Sequence, residues 1–180
     1  MPLSLTTANE PMPAPQGVSQ EELVSKSGKA GSAIASRIVA YTWPQLHSAP
    51  KLEYEQRKAK VGTEFRFQKG TLKLTLKQRI YYDEKLGACP KKIWLEHEQD
   101  HVADNVAILG KLEAELKKDK EFADILITPV WFPTSQFAAI QKKINDRIDV
   151  VFKRLTKDAV DKRDTSAEYD KVEARIAKEC

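Results

Sequence analysis

Five residues in the middle of the chain carry the clearest chemistry. His97-Glu98-Gln99-Asp100-His101 is an H-E-x-x-H pattern. On a helix, histidines at i and i+4 project from one face about one turn apart, so two imidazoles placed this way can hold one zinc ion. Glu98 follows the first histidine directly, where a carboxylate can hold a metal-polarised water and take its proton. Two of the chain's three histidines lie in the pattern, which weighs against an accidental pair on a solvated face. His97 and His101 are the expected metal ligands, Zn2+ the expected cofactor, and Glu98 the expected general base.

A catalytic zinc normally takes three protein ligands. Ala107 stands ten residues after His97, so no third histidine extends the pattern. His47, the remaining one, falls in an expected loop and reads as a polar loop residue. The third ligand is then a carboxylate that returns from a later helix, and Asp161, Asp164, Glu168, Asp170 and Glu173 are the candidates. Asp104, one turn past His101, suits the spare N–H of a ligating histidine instead. Cys89 lies about two turns before His97 and is too far away to ligate.

The surrounding pattern supplies the elements that position these groups. Pro90 suits a first helical turn. Leu95, Val102, Val106, Leu109, Leu112 and Leu116 then recur at helical spacing, which predicts a helix over 91–118 with the motif inside it. Before it, Thr63–Phe67 and Thr71–Tyr81 alternate polar and apolar around Gln68-Lys69-Gly70, which predicts a hairpin. The open edge of its second strand could accept an extended peptide. Ser19-Gln20-Glu21-Glu22 resembles a capping box before a short helix over 20–27, and residues 36–41 read as a short strand. Residues 125–133 read as an apolar connection. Phe137, Ile140, Ile144, Ile148, Val151 and Leu155 step by three or four along a second long helix that Thr134 or Ser135 can cap. A break near 161–164 precedes a last helical segment. Four prolines before Gly17 predict a flexible lead-in over 1–20, ahead of one domain over 21–180. That domain holds the sheet and motif helix in 36–118 and further helices in 134–178.

His97 to Asp104 (HEQDHVAD), with strands before it and helices after it, resembles a zincin metallopeptidase domain. More narrowly, it is similar to a bacterial family of unknown function predicted to be secreted zinc proteases, whose members carry an HEQxH helix. The resemblance spans about residues 36–178 in layout, and the HEQxH core is its specific part. It implies a zincin-like α+β fold: a small antiparallel β-sheet packed on the motif helix, then a C-terminal helical subdomain. It also implies peptide-bond hydrolysis of a peptide or protein substrate. The family's terminal motif carries a histidine, and this chain has none after His101. A later carboxylate takes that place, and the resemblance assigns it to Glu168, with Glu173 and Asp164 next. Tyr169, Val172 and Ile176 would pack inward and aim it, with Tyr169 in the core.

Composition sets the outer bounds. The 180 residues are 31% charged and 41% hydrophobic, enough for one soluble globular domain, and no apolar run is long enough for a membrane span. Net charge is +4. Lys51–Lys92 holds 12 Lys or Arg against 5 Asp or Glu, a stripe that reads as a solvated face rather than a nucleic-acid surface. Cys89 and Cys180 exclude a disulfide-rich scaffold. They either stand as unrelated thiols or close a loop of about 90 residues, which implies an oxidising compartment. No basic and apolar leader opens the chain. An exported or periplasmic bacterial protein is favoured, with the cytoplasm as the alternative, and the oligomeric state stays open. Two rival readings remain. One is a non-catalytic helical interaction module using the Phe137–Leu155 face or the basic hairpin, and the other a zinc amidase acting on cell-wall peptides.

Overall fold

The structure is a computed structural model that describes residues 3–28, 37–127 and 129–180. It is α+β. In chain order it contains β1 (Leu3–Asn9), β2 (Gln16–Val18), α1 (Gln20–Ser27), β3 (Ala40–Lys58), β4 (Thr63–Asp83), α2 (Ala88–Lys118), α3 (Lys120–Leu126), β5 (Phe132–Pro133), α4 (Phe137–Arg163) and α5 (Ser166–Glu179). Two compact units share this chain, and β3, β4, α2 and α4 each contribute residues to both. Among the described residues no helix is long and apolar enough to cross a membrane.

One unit draws on β1, Leu46–Leu76 and Ile108–Leu155. Its core is apolar. Phe65 and Phe67, then Leu72, Leu74 and Leu76, are buried at alternate positions along β4, the phase shifting by one residue across the adjacent exposed Gln68 and Lys69. Leu112, Leu116, Phe122, Ile140, Ile144, Ile148, Val151 and Phe152 are buried on its helices. Phe65 meets Phe67, Phe132 and Phe137 at ring-centroid distances of 5.5, 5.8 and 5.0 Å. Part of the expected apolar connection over 125–133 is helical: α3 ends at Leu126, with Asp119 capping its start by accepting from the Phe122 N–H at 3.0 Å. The second long helix begins after a single 3-10 turn at Thr134–Gln136. The Thr134 hydroxyl donates to the Thr63 carbonyl at 2.7 Å.

The other unit draws on the described residues of Glu10–Gln45, Lys77–Ala107 and Thr156–Cys180. Here α1 starts where expected, with Ser19 accepting from the Glu22 N–H at 3.2 Å, and ends on Gly28 at φ 68. Val18, Leu23, Ile38 and Tyr81 form one buried cluster. Ala40, Trp94 and Tyr169 form a second, flanked by Val172 and Ile176 of α5. The expected strand over 36–41 begins only at Ala40, and Ser36 lies outside the described residues.

Three sequence expectations need correction. The lead-in over 1–20 holds two strands, because Pro11, Pro13 and Pro15 interrupt pairing only between β1 and β2. The sheet is not purely antiparallel. Both β1 and β2 run parallel to β4, in the registers Leu3↔Gly70 to Asn9↔Leu76 and Gln16↔Tyr81 to Val18↔Asp83. Finally, β4 passes straight through Gln68-Lys69-Gly70. Gly70 is a buried, paired strand residue, and the turn falls at Ala59–Gly62, where Gly62 has φ 76 and its carbonyl accepts from the Ala59 N–H at 3.1 Å. The expected free edge over 71–81 is therefore largely covered by β1 and β2.

Candidate metal centre

All of the site's side chains belong to the second unit. The motif sits within α2, more than two turns past its start at Ala88. The i, i+4 spacing brings the His97 and His101 rings to 5.0 Å between centroids. One ligand atom from each of His97, Glu98 and His101 falls within 4.8 Å of the others. The group is sunk in the protein: Glu98 and His101 are 4% and 6% exposed. His97 Nε2 is buried and has no hydrogen-bond partner. A buried polar nitrogen is rarely left so.

The later acids separate cleanly. Asp164, the residue between α4 and the Thr165 cap of α5, reaches the histidines. His101 Nε2 donates to its Oδ1 at 2.9 Å, and His97 Nε2 stands 3.7 Å from the same oxygen. Glu168, expected as the third ligand, is not brought to them. It lies in the first turn of α5 with its carboxylate partly exposed, and Lys171 Nζ donates to it at 2.6 Å. Asp161 is engaged by Lys157. Asp170 and Glu173 accept from Arg37 at 2.8 and 3.0 Å. Asp104, expected beside a histidine, takes a two-pronged contact from Arg163, whose third prong reaches Asp100 at 3.2 Å. His47 lies in the other unit.

Electrostatics follow from burial and these contacts. Burial pushes the Glu98 carboxyl above the usual carboxylate range, and the charges of His101 and His97 with the Thr42 hydrogen bond offset only part of that. Burial acts the opposite way on His101, but the Asp164 hydrogen bond and the nearby carboxylates outweigh it, so its pKa is raised. Burial also disfavours the Asp164 anion. The His101 hydrogen bond and the charge of both histidines overcome this and hold Asp164 far below its ordinary value. The arrangement is a carboxylate facing two imidazoles, which suits a cation between them.

Three residues that the sequence reading passed over complete the surroundings. The Thr42 hydroxyl on β3 donates to Glu98 Oε2 at 2.7 Å, with the Glu98 main-chain carbonyl also within 3.1 Å. The Tyr41 phenol is held protonated by burial first, and then by the Glu98 and Asp164 charges. Arg163 precedes Asp164. A β-strand places neighbours on opposite faces, and Thr42 is buried between half-buried Tyr41 and exposed Trp43. In the sequence, polar Thr42 between Tyr41 and Trp43 reads as the solvent side, so its type gave no signal of this burial. Tyr169 is core, as expected, 4% exposed, with its ring tilted against Trp94 and His97 at centroid distances of 5.6 and 6.0 Å. Its phenol is also pushed well above the ordinary value, by burial and by Asp164 and Glu98.

Cys89 and Cys180 are bridged, with 5.8 Å between their Cα atoms. The bond ties the start of α2 to the end of α5. Arg175 of α5 adds an ion pair to Glu96 of α2 at 2.7 Å.

No family model, curated protein or solved structure matches the chain. The likeness to zincins rests on the HEQDH core alone.

Proposed function

We propose that the chain is a zinc-dependent hydrolase of peptide bonds, with His97, His101 and Asp164 as the metal-holding residues. The observation that carries this reading is the spacing of Asp164 Oδ1 from the two imidazole nitrogens, 2.9 and 3.7 Å. Those values bracket the separation of about 3.3 Å between neighbouring donors in a tetrahedral site with bonds of about 2.0–2.1 Å. The unpartnered, buried Nε2 of His97 supplies the second support, since a metal would satisfy it. Two neutral nitrogens and one carboxylate form a donor set typical of catalytic zinc. This reading replaces Glu168 with Asp164.

When bound, zinc supplies a Lewis acid and lowers the pKa of a coordinated water. The chain's own residues do the rest. Glu98 takes the proton from the attacking water at Oε1, because Oε2 is held by Thr42, and passes it to the leaving amine. Burial of Glu98 and His101 keeps bulk water from competing for that proton. The Cys89–Cys180 bridge fits an oxidising, exported setting. A zinc amidase acting on cell-wall peptides would use the same residues and differ only in substrate.

The test is zinc content and hydrolysis measured together. The wild-type chain should bind about one zinc, because one motif supplies one site. The paired substitutions His97→Ala and His101→Ala should abolish binding. A panel of denatured proteins, peptides and cell-wall peptides then assigns the amide cleaved. Equal zinc in mutant and wild type would end the metal reading and leave the non-catalytic interaction module.

A further inference from the structure

The geometry points to Arg163 as a positioning residue that holds Asp164 opposite the histidines; this inference rests on the zinc reading above.

Asp164 lies in no helix. It follows the last residue of α4, and Thr165 then caps α5 by accepting from the Glu168 N–H at 3.2 Å. Such a joint has few internal restraints. The Asp164 N–H donates to the Val160 carbonyl at 2.7 Å, which fixes it to α4 but not to α2. Beyond the Asp164 contact with His101 itself, the tether to α2 comes from Arg163. Its Nε and one terminal nitrogen grip the Asp104 carboxylate, and the other terminal nitrogen reaches Asp100 at 3.2 Å. Asp100 and Asp104 stand at i and i+4 on the same helix as the motif, one residue before and three after His101. A guanidinium fork on two carboxylates fixes orientation as well as distance, which a lysine ammonium cannot do. The fork thereby sets where the next residue's carboxylate falls relative to His101.

The rest of α5 is tied to α2 independently, through the Cys89–Cys180 bridge, the Arg175–Glu96 pair and Tyr169 packed near Trp94 and His97. Loss of Arg163 should therefore loosen the joint without releasing the helix.

A contrary force makes the inference testable. Arg163 is a cation next to Asp164 in the chain and held against Asp100 and Asp104 of the motif helix. Judged by charge alone, its removal takes a cation away from the site and relieves repulsion on an incoming dication, so zinc should bind more tightly. A positioning role predicts the opposite sign.

The experiment measures zinc affinity by competition with a chelating dye for wild type, Arg163→Ala, Arg163→Lys, Asp164→Ala and Lys162→Ala, with thermal unfolding of each metal-free protein alongside. Lys162 is the exposed neighbour and serves as the control. Arg163→Ala should weaken zinc about tenfold, the scale of a lost supporting contact at a metal site, while unfolding remains cooperative. Arg163→Lys keeps the charge but loses the fork and should also weaken binding. It decides the matter if the alanine variant fails to fold. Lys162→Ala should match wild type. Unchanged or tighter zinc in Arg163→Ala, or wild-type affinity in Arg163→Lys when the alanine variant does not fold, overturns the positioning role. Wild-type affinity in Asp164→Ala instead removes the third-ligand assignment itself, so the two failures are distinguishable.

Discussion

The Thr42 hydroxyl donates to Glu98 Oε2 at 2.7 Å, and both residues are buried. A strand residue thus fixes one oxygen of the helix carboxylate assigned to proton transfer. Thr42→Val keeps the shape and removes the donor, leaving a buried carboxylate oxygen unpaired. A cost of about 1–3 kcal/mol in stability is expected, with hydrolysis reduced on the order of tenfold because the base loses its orientation. Zinc affinity should change little. Thr42→Ser keeps the hydroxyl and should restore most of the rate. Steady-state kinetics and zinc titration on the three proteins check this, and a serine variant as slow as valine would remove the hydrogen bond from the explanation.

Glu98→Gln addresses the base directly. The amide keeps the size of the side chain and can still accept from Thr42, but it cannot take a proton. Hydrolysis should fall about 100-fold or more, with zinc stoichiometry unchanged. Stability of the metal-free protein should not fall, because burial already disfavours the Glu98 anion. Loss of zinc in this variant would reassign Glu98 as a ligand.

How much of this was legible in the sequence depends on which interactions are local. The two long helices were, because their apolar residues recur at 3.6-residue spacing and the core takes up most of them: Ile140, Ile144, Ile148 and Val151 are all buried, although Val106 of α2 is 40% exposed. The sheet was less so. Parallel pairing joins residues about 65 apart in the chain, such as Leu3 and Gly70, and nothing local announces it. Gly70 looked like a turn because glycine suits turns, yet here it is a buried, paired strand residue. The third acid shows the same limit. Glu168 and Asp161 each have a lysine at helical i±3 or i±4 spacing, Lys171 and Lys157, and these local pairs form. Asp164 has no cation at those positions, a signal that could have moved the choice. Asp170 and Glu173 share it, however, and only the fold gives those two to Arg37.

The Cys89–Cys180 bridge closes a long loop with a sequence separation of 91. In the chain-entropy model such a loop contributes up to about 4–5 kcal/mol by restricting the unfolded chain. Reduction, or the double change to serine, should lower the unfolding midpoint by several degrees or more. Non-reducing mass spectrometry should show no alkylatable thiol and a mass two hydrogens below the reduced chain. Two free thiols in protein prepared under oxidising conditions would exclude the bridge and move the expected compartment toward a reducing one.

Asp119 offers a test of stability away from the site. It caps α3 by accepting from the Phe122 N–H at 3.0 Å, and Arg147 grips the same carboxylate with two nitrogens. The Arg147 hydrogen bond, with a smaller part from the Phe122 N–H, holds its pKa below the ordinary value despite partial burial. For a carboxyl depressed in the folded state, the unfolded chain binds the proton more readily. Its contribution is therefore complete above the ordinary carboxyl range near pH 4 and is lost as pH falls through the lower folded value. Asp119→Ala removes both cap and charge and should cost about 1–2 kcal/mol near neutral pH from the cap, with a smaller, salt-screened addition from the ion pair. Asp119→Asn keeps a capping oxygen and should lose only the charged part. Urea unfolding of the three proteins from pH 7 to pH 3 separates these terms. The gap between wild type and Asp119→Asn should be constant from pH 7 to about 5 and close below pH 4. A gap that widens on acidification would mean that Asp119 is not stabilised as an anion in the folded protein.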